Sequence, residues 1–292
     1  MAERVCVVVA TRDRLPDLLR SLPHHDAPVI LVDNGSSDGT PEEVRRRFPH
    51  VEVVELGDNR GAGARNVGVD MARAPYVAFA DDDSWWAPGS LDRAADALDR
   101  HPALAVVTAR VLIGPEQRLD PLSEQMAVSP LPSAEPGPSV LGFLACAAVI
   151  RRDAFSAVGG FDDVVFFCGE EERVALDLAS AGWQLAYLED VVVHHHPSPS
   201  RDPRGREVLS LRNALLTALM RRPWRVVATQ CLATWRRGHV GRKAVWSALP
   251  RVRRALERRE RLPQPVEAAR ALLDDPAAHA RSAVPTLGQS RT

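Results

Sequence analysis

A chain of 292 residues with 45% hydrophobic and 26% charged side chains can bury a sizeable core, as one large domain or one domain with an appendage. Its net charge of −1 hides an asymmetry: residues 1–200 carry 17 basic and 31 acidic side chains, while 201–261 carry 17 basic and 4 acidic ones. The four cysteines, at 6, 146, 168 and 231, form no CxxC pair, which argues against a zinc knuckle or redox motif and for reduced, mostly buried thiols.

The opening "MAERVCVVVA" has too short an apolar run and too acidic a flank for a signal peptide, so a cytoplasmic location is expected. Within it "VCVVVAT" (5–11) reads as a buried strand, and "RLPDLLRSL" (14–22) has helical spacing. "PVILVDNGSSDGT" (28–40) gives a second strand ending in turn residues. A capping box at Thr40-Pro41-Glu42-Glu43 then opens the helix "PEEVRRRF". "VEVVEL" (51–56) is a third strand, "AGARNVGVDMARA" (62–74) a helix and "YVAFAD" (76–81) a fourth strand. This alternation predicts an α/β fold with a mainly parallel open sheet and helices on both faces. Ligands of such sheets sit at the carboxyl ends of the strands, where Thr11-Arg12-Asp13, Asp33-Asn34-Gly35 and Asp81-Asp82-Asp83 fall.

After "LAVVTARVLI" (104–113), the segment 115–139 holds six prolines without periodicity and is expected to be a mobile loop. "VLGFLACAAVI" (140–150) is apolar but stops at Arg151, well short of the roughly 18–20 residues of a membrane span. "EEERVALDLASAGW" (170–183) is a helix and "QLAYLEDVVVHHH" (184–196) a strand, and from about 205 the pattern is helical, with breaks at Pro223, Pro250, Pro263 and Pro276.

Several of these features have a chemical reading beside a plainer one. An Asp-x-Asp at a buried strand end suits a divalent cation, or is a solvated turn capping the helix that begins near Pro88. Asp33 can accept hydrogen bonds from a ribose or base, or close an Asx turn. "NRGAGARN" (59–66) can hold a pyrophosphate or serve tight packing. Glu170, Glu171 and Glu172 are helix-start acids, yet Glu171 shares the apolar face of Val174, Ala175 and Leu178, as a general base would. His194-His195-His196 is either structural or a nitrogen donor that would shift a site from magnesium toward manganese.

Together and in order, "VVVATRDR", "LVDNGSSDGT", "NRGAGARNVG", "FADDDSW", "VGGFDD", "GEEERVALDLASAGW" and "EDVVVH" make the chain resemble the family 2 glycosyltransferases of the GT-A fold over about residues 4–196. The resemblance implies a Rossmann-like GT-A domain over 1–204, followed by a basic helical extension over 205–292. It implies nucleotide-sugar binding by Thr11, Arg12, Asp33, Asn34, Gly35, Asn59, Arg65, Asp81 and Asp82, and a Mn²⁺ or Mg²⁺ ion held by Asp81, Asp83 and His194. The acidic pair falls on Glu170 and Glu171, with Glu171 as base in place of the usual aspartate, and Arg173 stands where an acidic or polar residue is common. The reaction implied is inverting transfer from a nucleoside-diphosphate sugar to an unidentified acceptor hydroxyl of a glycan, lipid or small molecule.

Two rivals are weighed. A sugar nucleotidyltransferase would carry a glycine-rich basic loop after the first strand, which "VVVATRDRLPDLL" lacks. A noncatalytic binding module on the same fold would be expected to lose metal or base residues, and these are present. No motif supports nucleic acid as a partner. The tail 221–261 interleaves tryptophans with arginines; it could lie on an anionic membrane, but the expectation is that it packs on the acidic domain with Trp224, Trp235 and Trp246 as core.

Overall fold

The computed structural model describes residues 3–133, 135–198 and 203–274; the predicted break at Pro276 lies outside them. The chain runs through β1 (Val5–Thr11), α1 (Leu15–Ser21), β2 (Val29–Asp33), α2 (Thr40–Arg47), β3 (Glu52–Glu55), α3 (Ala64–Met71), β4 (Tyr76–Ala80), β5 (Ser84–Trp86) and α4 (Ser90–Arg100). It continues with β6 (Leu104–Ile113), β7 (Arg118–Leu119), α5 (Pro121–Ala127), β8 (Ala148–Arg151), α6 (Arg152–Ala157), α7 (Glu170–Ser180) and β9 (Gln184–His195). Four helices close it: α8 (Pro203–Arg221), α9 (Trp224–Arg236), α10 (Gly238–Glu257) and α11 (Gln264–Leu273).

The sheet runs β3-β2-β1-β4-β8-β6-β9-β5, with β7 added beside β6. The first four strands are parallel, as the alternation predicts; β8 enters antiparallel between β4 and β6, and β9 is again parallel to β6, so the sheet is mixed. Both faces are covered, which is why β1 has no polar alternation. Val5, Val7 and Val9 enter one core, and Cys6 and Val8 enter the other.

Three expectations are corrected. The described residues of the 115–139 segment include regular structure: they add β7 to the sheet, and Asp120 caps α5 by accepting from the Leu122 amide at 2.8 Å. Short local hydrogen bonds and the buried Met126 hold what composition alone reads as loop. Thr40 does not cap α2; Gly39 occupies the cap position, and Asp38 accepts from the Thr40 amide instead. Pro250 does not end a helix but sits inside α10, whose Ala248 and Ala255 are buried in a core with Leu216, Leu219 and Met220 of α8.

The extension is joined to the sheet domain by charge as well as by apolar packing. Arg173 pairs with Asp162 at 2.6 Å and with Asp177 at 2.5 Å, and Arg221 of α8 reaches the same Asp177 at 2.5 Å. Arg173 therefore ties α7 to the turn before it, and Asp177 ties α7 to α8. Trp224, Trp235 and Trp246 are not core: all three are exposed. Among the described residues no helix is long and apolar enough to cross a membrane, and all four cysteines are free.

Candidate active site

The carboxyl ends of β1, β2 and β4 bring three polar clusters together. Thr11 and Asp33 are register partners, and the Thr11 hydroxyl lies 3.3 Å from Asp82 Oδ2. Asp33 is buried; its Oδ2 accepts from the Gly35 and Ser36 amides at 3.2 and 3.0 Å, the expected Asx turn, with Gly35 at φ +78°. Its Oδ1 is buried without a hydrogen-bond partner among the described residues. Asn34 ties the third motif in place, donating to the Gly61 carbonyl at 3.0 Å and accepting from the Arg60 amide at 2.7 Å.

That motif could not carry a side chain at Gly61. A Cβ there would lie 2.3 Å from the Phe166 carbonyl oxygen, at a φ of +59°. This close approach carries the Ala62 amide to Phe166, at 2.7 Å, and seats the loop before α7 against the start of α3. Arg65, one turn further on, is buried over the Phe161 ring, with Nη2 donating to Asp81 Oδ1 and Nη1 3.8 Å from Glu170 Oε1. Burial works against its charge, but Asp81, Glu170 and Glu171 outweigh that and hold the guanidinium protonated.

The aspartate run is shared out by position. Asp82 is pushed up to about 8 by burial and then by Asp81 and Asp83, with Arg14 opposing. Asp83 is buried; its backbone carbonyl accepts from the His196 amide at 2.8 Å, and its Oδ1 lies 3.2 Å from His195 Nε2. Asp81, His195 and Cys146 each offer a ligand atom, all within 4.8 Å of one another. His194, the expected metal ligand, is elsewhere. The β5–β9 pairing sets it opposite Trp85, on whose ring it stacks at 5.7 Å, and strand alternation turns His195 to the aspartate side. The alternation was readable in the histidine triplet, but its phase depends on the β5 register.

Glu170 and Glu171 open α7 after Gly169, at φ +90°. Burial raises the Glu170 carboxyl's pKa, Glu171 adds to this, and Arg65 opposes it. Glu171 is raised by burial as well, while the Ala145 amide donates to its Oε1 at 3.2 Å.

Two cavities meet at these groups. The smaller, about 420 Å³, is lined by Thr11, Arg12, Asn34, Asn59, Asp82 and Asp83; the larger, about 570 Å³, by Val140, Phe143, Cys146, Glu170, Glu171 and His195. Arg65, Asp81 and Arg206 line both. Asp33 and Gly35 are not among the lining residues and shape the turn behind them. Cys146 and Arg206 went unnoticed as site residues in the sequence, because neither carries a motif and each arrives from a distant segment.

A family model described as "Glycosyl transferase family 2" matches residues 5–159. An N-acetylglucosaminyl-diphospho-decaprenol L-rhamnosyltransferase of Mycobacterium tuberculosis is 30% identical over 246 residues, covering 70% of this chain and 80% of that protein. The fold is similar to that of a Pyrobaculum calidifontis mannosyltransferase solved with GDP-Man and Mn²⁺, with a TM-score of 0.60 at 21% identity over 96% of this chain and 83% of that one. It is also similar to S. aureus TarS 1-349 with UDP-GlcNAc, with a TM-score of 0.59 at 18% identity, covering 96% and 88% of the two chains. The seven motifs, the two joined cavities and these likenesses agree: this chain belongs to glycosyl transferase family 2 and is a glycosyltransferase of the GT-A fold.

Proposed function

We propose that the chain transfers a sugar from a nucleoside diphosphate to an acceptor hydroxyl with inversion at the anomeric carbon. The observation that carries this is the shared wall of Arg65 and Asp81 between the two cavities, with Glu171 on the larger side. A donor in the smaller cavity and an acceptor in the larger would meet there with the carboxylate on the acceptor's side.

Within the smaller cavity, Thr11 and Asn34 line the nucleotide's place; Asp33, buried behind them with an Oδ1 that has no partner among the described residues, is an acceptor suited to a base or ribose donor that reaches past them. Oxygen and nitrogen donors at Asp81, Asp83 and His195 suit Mn²⁺ or Mg²⁺, with the histidine favouring manganese. A cation held there supplies neutralisation of the charge that grows on the departing diphosphate. Arg65, kept protonated, adds fixed positive charge at the same wall. Glu171 takes the proton of the attacking hydroxyl; the Ala145 amide orients its carboxylate, and burial raises its basicity toward working pH. Glu170, engaged with Arg65, positions rather than reacts.

For the acceptor we propose a saccharide linked through a diphosphate to a polyprenyl lipid. The larger cavity joins apolar Leu122, Met126, Val140 and Phe143 to Arg206 and Arg270 near Glu171, and the M. tuberculosis relative is named for such an acceptor. A thermal-shift panel of UDP-, TDP- and GDP-sugars with and without Mn²⁺ tests the donor. Stabilisation by one nucleotide, greater with the ion, is expected; indifference to every pair overturns the reading.

A further inference from the structure

The outer surface of α9 and α10 carries large apolar side chains that the described residues leave partly exposed. Trp224, Trp235 and Trp246 are 58%, 40% and 62% exposed, and Leu232, Leu249 and Leu256 are 50%, 52% and 43% exposed. Helical spacing gathers Ala228, Leu232 and Trp235 on one side of α9, and Arg242, Trp246, Leu249, Arg253 and Leu256 on one side of α10. The opposite sides are the ones that bury Thr234, Gly241, Ala244, Ala248 and Ala255. The rings of Trp235 and Trp246 lie 6.5 Å apart, so the two stripes merge into one patch. The two helices close together tightly: a Cβ at Gly241 would lie 1.8 Å from the Thr234 carbonyl oxygen.

Charge narrows the choice of partner. From Trp224 to Leu256 the chain has eight arginines and lysines and no aspartate or glutamate. Arg251 and Arg254 are engaged by the Asp163-Val164 turn and Arg253 by Glu257 at 3.0 Å, while Arg225, Arg236, Arg242 and Lys243 are exposed. A second copy meeting this face about a two-fold axis would set cation against cation. An anionic lipid surface satisfies both components: tryptophan sits at the head-group level, leucine enters the acyl boundary, and the cations meet lipid phosphates. We propose that the α9–α10 face docks this glycosyltransferase on an anionic membrane. The inference stands on this patch alone and is independent of the donor and acceptor readings.

Flotation of the full chain with vesicles tests it, comparing phosphatidylcholine alone with a mixture holding roughly 30% phosphatidylglycerol, at about 0.1 and 0.5 M salt. Binding to the anionic vesicles, at least tenfold weaker to the neutral ones and weakened by salt, is expected. The pair Arg242→Ala/Lys243→Ala should weaken it by roughly fivefold per cation. Trp235→Ala/Trp246→Ala should weaken it at least tenfold, with the variant shown to be folded by circular dichroism and a cooperative melting transition. Equal binding to both vesicles, no binding, or anionic binding that survives both pairs of substitutions overturns the proposal. So does a tryptophan-dependent dimer in sedimentation velocity without vesicle binding, which would make a second copy the occupant. Donor thermal shifts are measured without lipid, so either reading can fail alone.

Discussion

Arg65 Nη2 donates to Asp81 Oδ1 at 2.5 Å while its Nη1 stands 3.8 Å from Glu170 Oε1, so one buried guanidinium links the end of β4 to the start of α7. A lysine offers a single compact charge and cannot span both carboxylates. Arg65→Lys is expected to lower kcat/KM by roughly 30- to 5000-fold, since loss of part of a buried charge pair costs about 2–5 kcal/mol. Steady-state kinetics on the preferred donor check this, and a near-normal rate would remove Arg65 from the shared wall.

Glu171→Gln keeps the shape of the side chain and its bond from the Ala145 amide but cannot take a proton. The expected result is a fall in kcat of about 10²- to 10⁴-fold with donor binding unchanged. Because burial raises the Glu171 pKa, the carboxylate is lost on acidification earlier than an ordinary glutamate would be. The acid limb of the kcat profile should therefore lie above the usual carboxylate range and vanish in the variant.

The two neighbouring histidines make a paired control. His195→Ala should weaken Mn²⁺ binding in the presence of nucleotide by roughly 10- to 100-fold, a range typical of groups that support a metal site. His194→Ala removes a ring stacked on Trp85 and should leave the affinity unchanged. Isothermal titration of both variants distinguishes the assignments, and the reverse outcome would restore His194.

Asp82 gives the protein a pH dependence of known sign. Its folded-state pKa, pushed up to about 8, exceeds that of the unfolded chain, so the native form binds the extra proton. The Asp82 contribution to the stability of the metal-free protein is therefore fully present below the ordinary aspartate range and is lost as pH rises through about 8. In Asp82→Asn that dependence should flatten, visible as several degrees of melting temperature, because about 1 kcal/mol corresponds to about 2–4 °C for a chain of this size.

The parallel half of the sheet could be read from residue order because β1, β2 and β4 are continuous apolar runs buried on both faces, while β3, at the sheet edge, keeps its valines between exposed Glu52 and Glu55. The antiparallel insertion of β8 could not, since nothing local tells "AAVIRR" which neighbours it joins. The same divide runs through the site. Asp81, Asp83 and Glu171 stand at element ends where sequence pattern and motif coincide. Choosing His195 over His194 requires the β5–β9 register, and Cys146 reaches Asp81 only through the chain reversal at β8. In the extension, tryptophan content alone was a poor guide to burial: alanines and leucines of α8 and α10 fill the core, and the indoles face out.

The carboxylate of Asp177 accepts Arg173 from its own helix and Arg221 from α8, so the segment after residue 204 contributes a counter-ion to the helix that opens with Glu170 and Glu171. Exchanging this C-terminal part for that of a related enzyme is therefore not a modular swap. A graft lacking the guanidinium at 221 would leave a carboxylate inside the joint short of one partner, so the helix that carries Glu170 and Glu171 would lose one of its ties to α8.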